Sequence, residues 1–111
     1  MPDAAITVTV RDGAVVCAIT GALHHDNEAQ FRAVLTRALA RQPGVLAVDL
    51  SGVDLLASSG LNALLTVRRE AIERGVRLVL VAPSVPARHT LRITEVDTVL
   101  LTVPTLEHAL R

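Results

Sequence analysis

The sequence predicts an α/β domain: a mixed, mostly parallel sheet of about five strands, opened by a β-hairpin and carrying about four helices. Three observations predict it. Two β-rich runs flank Asp12-Gly13 near the start of the chain. Beyond them, apolar strand-like runs alternate with segments of helical period. The chain has 111 residues, 50% of them hydrophobic, enough for a single continuous core, so one domain is expected over residues 1–111.

The elements follow in order. Thr7-Val8-Thr9-Val10 alternates as a half-buried strand does, and an Asp-Gly pair before the apolar run at residues 15–19 is a hairpin signal. Gly21 closes this second strand. Asn27, with Gln30 three residues on, fits a capping box at the start of a helix. Phe31, Val34, Leu35, Ala38 and Leu39 repeat at helical spacing until Pro43-Gly44 stops it. Residues 45–50 read as a third strand, broken only by Asp49. A loop from Ser51, ending in Ser58-Ser59-Gly60, precedes a second helix with Leu61, Leu64, Leu65 and Ile72 on one face, ended by Gly75 at a left-handed C′ position. Residues 76–81 form a fourth strand, apolar because helices cover it. Ser84 caps a short helix at 85–93, in which Ala87 and Leu91 lie one turn apart. Residues 99–103 read as an edge strand, and Thr105 caps a last short helix at 105–110. Strands after the hairpin are expected to be parallel, with right-handed crossovers.

Composition narrows the function. Eleven basic and eleven acidic residues cancel without forming blocks, and Phe31 is the single aromatic, so neither a basic footprint nor a stacking platform for nucleic acid is present. The lone Cys17 lies in an apolar run, which fits a buried thiol in a reducing compartment. Met1-Pro2-Asp3 shows no leader pattern, and no run approaches the roughly 18 apolar residues of a membrane span. The chain is expected to be soluble and cytoplasmic, met by a protein or small-molecule partner.

Catalytic constellations fare poorly. Ala57-Ser58-Ser59-Gly60 lacks the first glycine of a nucleophile elbow, and His89 and His108 are poorly placed as its base. His24, His25 and Asp26 are neighbours whose side chains diverge, without a second ligand cluster. Asp49 or Asp54 accepting a phosphoryl group requires further carboxylates around a magnesium ion. The serines remain. At a helix N-terminus, where unpaired N–H groups and the dipole favour an anion, Ser58 or Ser59 is either an N-cap or a site poised to carry phosphate. The adjoining stretch Gly52 to Leu56, with Val53, Leu55 and Leu56, is apolar for a loop and suits a docking surface. A phosphate beside it adds up to about two negative charges and opposes association.

These residues resemble the STAS domain, the module shared by bacterial anti-sigma factor antagonists and the tails of sulfate transporters. The resemblance rests on Gly21-Ala22-Leu23, on Val48-Asp49-Leu50-Ser51-Gly52-Val53 leading to Ser58-Ser59-Gly60-Leu61, and on Leu78-Val79-Leu80-Val81. It implies a free-standing, non-enzymatic switch without cofactor or metal. Ser58 would be phosphorylated by an anti-sigma factor with a histidine-kinase-like ATPase domain, ending the binding, and a serine phosphatase would restore it. Ser59 and Gly60 would shape the helix start, and Ser51, Gly52, Val53, Asp54, Leu55 and Leu56 would form part of the docking face. Two positions depart from the family pattern: Ala57 stands where an aspartate usually precedes the acceptor, and Gly21-Ala22-Leu23-His24 lacks the usual loop aspartate. The alternative implied by the resemblance keeps the fold without the switch: an unphosphorylated STAS scaffold subunit of a signalling complex or a lipid-transport ATPase assembly.

Overall fold

The hairpin forms where the sequence places it. In the computed structural model, which describes residues 4–111, β1 (Ala5–Arg11) and β2 (Ala14–Leu23) pair antiparallel from Arg11↔Ala14 to Ala5↔Thr20. Asp12 and Gly13 both take positive φ in the turn, as a two-residue hairpin connection requires. Met1-Pro2-Asp3, on which the leader reading rests, lies outside the described residues.

From β2 onward every pairing is parallel. β3 (Val45–Leu56) joins β2, β4 (Arg77–Val81) joins β3, and β5 (Thr102–Val103) joins β4, giving the sequential order β1-β2-β3-β4-β5. Three helices, α1 (Glu28–Ala40), α2 (Ser58–Arg74) and α3 (Val85–Ile93), cover one face. Phe31, Leu35 and Leu39 of α1 meet Leu64 and Val67 of α2 and Leu91 of α3 over Cys17, Ile19, Val48, Leu50 and Leu80 of the sheet. The opposite face carries a smaller cluster, Val16, Ala47, Val79 and Val81, against Ala109 of the four-residue α4 (Leu106–Ala109). Thr105 caps that helix, and Ser84 caps α3, as expected.

Five expectations are corrected. β2 does not stop at Gly21. The chain passes through Gly21 at φ +94°, a left-handed value that glycine accepts without strain, and pairing resumes to Leu23↔Leu56. β3 likewise runs on past Leu50, because buried Val53 and Leu56 continue its inward pattern. β5 is two residues long; a 3-10 turn at Val96–Thr98 takes up the chain before it. Ile72 is 61% exposed, since the buried stripe of α2 runs through Leu64, Val67 and Ala71, and Ile72 lies a further ~100° round the helix. Asn27 makes no cap bond to α1. Its buried side chain instead receives the His24 N–H on Oδ1 (3.0 Å) and donates Nδ2 to the Ala22 carbonyl (2.8 Å), locking the end of β2 to the 3-10 turn at His25–Asn27.

Candidate functional site

The end of β3 is built from two irregularities. Between Ala18↔Asp49 and Thr20↔Gly52 the partner strand advances two residues while β3 advances three, and between Gly21↔Val53 and Ala22↔Leu55 it advances one against two. Each is a bulge, which frees a backbone group and turns the strand. At the first, Asp49 Oδ1 accepts the Ser51 N–H at 2.9 Å, so this carboxylate is committed to the backbone. Gly52 sits so close to β2 that a Cβ there would lie 2.6 Å from Thr20 Cγ2 and 3.2 Å from the Ile19 carbonyl.

The stretch expected to be an exposed apolar loop is therefore strand, and its side chains divide. Val53 and Leu56 are buried in the core, and Gly52 is half-buried. Ser51, Asp54 and Leu55 face solvent, Leu55 with 41% exposure. Of residues 51–56, only those three present their side chains to solvent, because the second bulge breaks the strand's alternation between buried Val53 and Leu56.

Ala57 then makes the strand-to-helix turn, its N–H donating to the Leu23 carbonyl at 2.9 Å. It occupies the N-cap position with extended backbone (φ −85°, ψ 170°), and no side chain caps α2. This corrects the expectation that Ser58 or Ser59 caps the helix: they occupy the first and second helical positions, one residue too late to cap. Ser58 is exposed and Ser59 half-buried. The first turn holds no acidic residue, so the positive end of the helix dipole is uncompensated. Gly60 is buried, and a Cβ on it would stand 2.8 Å from Leu56 Cδ1 and 3.1 Å from Leu23 Cβ. That close approach seats the first turn of α2 directly on the ends of β2 and β3, and so fixes where Ser58 emerges.

α3 joins the same end of the sheet, which its cap signal alone did not reveal. Ser84 Oγ donates to the Val53 carbonyl at 2.6 Å while accepting the Ala87 N–H at 3.2 Å, and the Ser84 N–H bonds the Leu50 carbonyl. Val85, the next residue, is 70% exposed and adds an apolar group to this rim. The sequence signal for it was the Pro83-to-Pro86 bracket around a capping serine.

The rival constellations are not assembled. His24 Nδ1 accepts the Asp26 N–H as the cap of the 3-10 turn. Among the described residues no group of three or more His, Cys, Asp or Glu is placed to hold a metal ion. Asp54 is exposed. His89 is exposed on α3, and His108 pairs through Nδ1 with Thr105 Oγ1 (2.6 Å) in α4, which packs on the opposite face from α2. Cys17 is buried in the core, and desolvation pushes its thiol up to about 11 despite the opposing charge of Arg41. A thiol so placed is unreactive. No helix among the described residues is long and apolar enough to cross a membrane.

Against known proteins, the family model described as the STAS domain matches residues 5–109. The anti-sigma-F factor antagonist RsfB of Mycobacterium tuberculosis is 32% identical over 111 residues, spanning 98% of this chain and 89% of that protein. The crystal structure of an anti-sigma factor antagonist from Mycobacterium paratuberculosis superposes with a TM-score of 0.87 at 26% identity, covering 97% of this chain and 92% of that one. An anti-sigma-factor antagonist (STAS) domain protein from Planctomyces limnophilus shares the fold at 24% identity, with a TM-score of 0.81 and coverage of 95% and 93%.

Proposed function

This chain belongs to the STAS domain family, and on that premise we propose that it is an anti-sigma factor antagonist, a cytoplasmic, non-catalytic binding protein switched off by phosphorylation of Ser58. The observation that carries the reading is the state of Ser58: exposed, at the first position of α2, and with no capping duty to the helix. A hydroxyl engaged as a cap would have to surrender a bond worth about 1 kcal/mol before reacting. Here phosphate costs the fold nothing of that kind, and its charge falls at the favourable end of the helix dipole. Its effect is directed outward instead. Up to about two negative charges arrive on a rim whose exposed groups include Leu55, Val85 and the like-charged Asp54. A partner that covers this rim must desolvate them.

The partner in this reading is an anti-sigma factor with a histidine-kinase-like ATPase domain, which binds the unphosphorylated form through Ser51, Asp54, Leu55 and the first turn of α2. A serine phosphatase resets the switch. The test is binding of wild type, Ser58→Ala and Ser58→Glu to the anti-sigma factor of the native host. The glutamate form is expected to bind at least about tenfold more weakly, a change of ~1.4 kcal/mol, with its melting temperature unchanged. Equal binding by all three would remove the switch.

One feature favours a second reading. Ala57 places no carboxylate before Ser58, so recognition by a kinase lacks a charge the family usually supplies. An unphosphorylated scaffold, in a signalling complex or a lipid-transport ATPase assembly, requires none. In that case the alanine and glutamate forms behave alike and Ser58 stays unmodified in cells.

A further inference from the structure

Away from the Ser58 rim, exposed apolar side chains gather on the far edge of the sheet. Val99 and Leu101 are 45% and 47% exposed on either side of buried Leu100, forming a ridge that leads into β5. On one flank lies a cavity of about 600 Å³, floored by Leu91 and Leu100 and walled by Arg88 and Arg92 of α3. On the other flank is a trough of about 220 Å³, reached by Arg68 and the exposed Ile72 of α2. β5 is the last strand of the sheet, so its outer edge has no strand beside it.

The charge on this edge is one-sided. No carboxylate among the described residues lies within ion-pair distance of Arg68, Arg88 or Arg92. Asp97 is the single acidic residue on either wall. Arg77 lines the trough too, but its guanidinium is taken up elsewhere, donating to the carbonyls of Ala109 and Arg111 (both 3.4 Å) beside α4. Four arginines, Arg68, Arg77, Arg88 and Arg92, line the two hollows against that one carboxylate, although the chain's total charge is zero. Guanidinium groups beside apolar hollows suit a ligand that offers carboxylates and aliphatic side chains together.

We propose that this ridge and its two hollows dock an extended, acidic, leucine-rich segment of a partner protein, with carboxylates on Arg88, Arg92 and Arg68 and apolar side chains against Val99 and Leu101. The concave floor favours a peptide over a bilayer, which is met by a convex apolar helix face. Single-stranded nucleic acid would need stacking aromatics, and Phe31, the one aromatic, is buried. The surface is distinct from the Ser58 rim: Arg68 lies ten residues along α2 from Ser58, about 15 Å at the helical rise. It provides a contact that phosphorylation of Ser58 does not reach.

The test is fluorescence anisotropy with a labelled peptide of alternating Glu and Leu, against wild type, Arg88→Glu/Arg92→Glu, Leu101→Ser and Ser58→Glu. Saturable binding is expected that weakens at least about tenfold in the double variant, falls with added salt, weakens in Leu101→Ser and is unchanged in Ser58→Glu. All three altered arginine and leucine positions are exposed, so unchanged melting temperatures are expected to confirm folding. Absence of saturable binding, or equal binding by the folded Arg88→Glu/Arg92→Glu and Leu101→Ser variants, overturns the proposal. So does preference for phosphatidylglycerol vesicles over the peptide, which would assign the edge to a membrane.

Discussion

Replacing Gly60 by alanine puts the seating of α2 to a direct test, because two effects of opposite sign compete there. In a helix, alanine is preferred over glycine by up to about 1 kcal/mol, so an unobstructed site would gain stability. Gly60 is obstructed. The new methyl would stand 2.8 Å from Leu56 Cδ1, 3.1 Å from Leu23 Cβ and 3.5 Å from the Leu23 carbonyl. The Leu56 tip can rotate only within a filled core, and Leu23 Cβ is held by strand β2. Overpacking of this kind costs about 1–3 kcal/mol, which outweighs the helical gain. A net loss of about 1 kcal/mol is expected, or roughly 4 °C in Tm for a domain of this size, read by circular dichroism. Leu56→Val removes the nearer clash, so the Gly60→Ala/Leu56→Val pair is expected to lose less than the two single losses added together. A Tm at or above wild type for Gly60→Ala, or strict additivity in the pair, would refute the claim that close packing at Gly60 positions Ser58.

Other perturbations follow from the same contacts. Ser84→Ala removes both the bond to the Val53 carbonyl and the cap of α3, and is expected to cost about 1–2 kcal/mol in urea unfolding. Asn27→Ala strands the Ala22 carbonyl and the His24 N–H, with an expected loss of about 1–3 kcal/mol and faster amide exchange at the end of β2. Burial raises the Cys17 thiol from 9.0 to about 11, so the fold favours the neutral form. The corresponding stability is complete below pH 9 and is lost as pH rises toward 11, by about 2–3 kcal/mol. The chain contains no lysine or tyrosine, so no other side chain titrates in that window, and Cys17→Ala is expected to abolish the alkaline slope.

Much of this architecture was legible because local and tertiary signals agree. The Asp12-Gly13 turn, the parallel strands and the limits of α3 at Val85 and Ile93 follow from turn chemistry, apolar runs and the Ser84 cap. What escaped was the extension of β2 and β3. Gly21 reads as a strand end and Gly52 as loop, yet each lets two strands continue past a bulge, one through its positive φ and the other through close contact. The periodicity of a strand cannot register an inserted residue, so 51–56 looked like loop. The helix begins at Ser58, inside what reads as the end of the loop, which leaves the N-cap to Ala57 and not to either serine. Asn27 misled for a related reason: a side chain that suits a cap suits equally a carbonyl left by a departing strand.

Whether Ser58 is the switch is decided by incubating the protein with the anti-sigma factor of its native host and ATP. Intact mass, site mapping and retention of the complex are then read from one sample. A single phosphate on Ser58, none on Ser58→Ala, and dissociation of the complex as the phosphate appears are expected. An unmodified protein, a phosphate on Ser59 instead, or a complex that persists with Ser58 fully phosphorylated would contradict the switch.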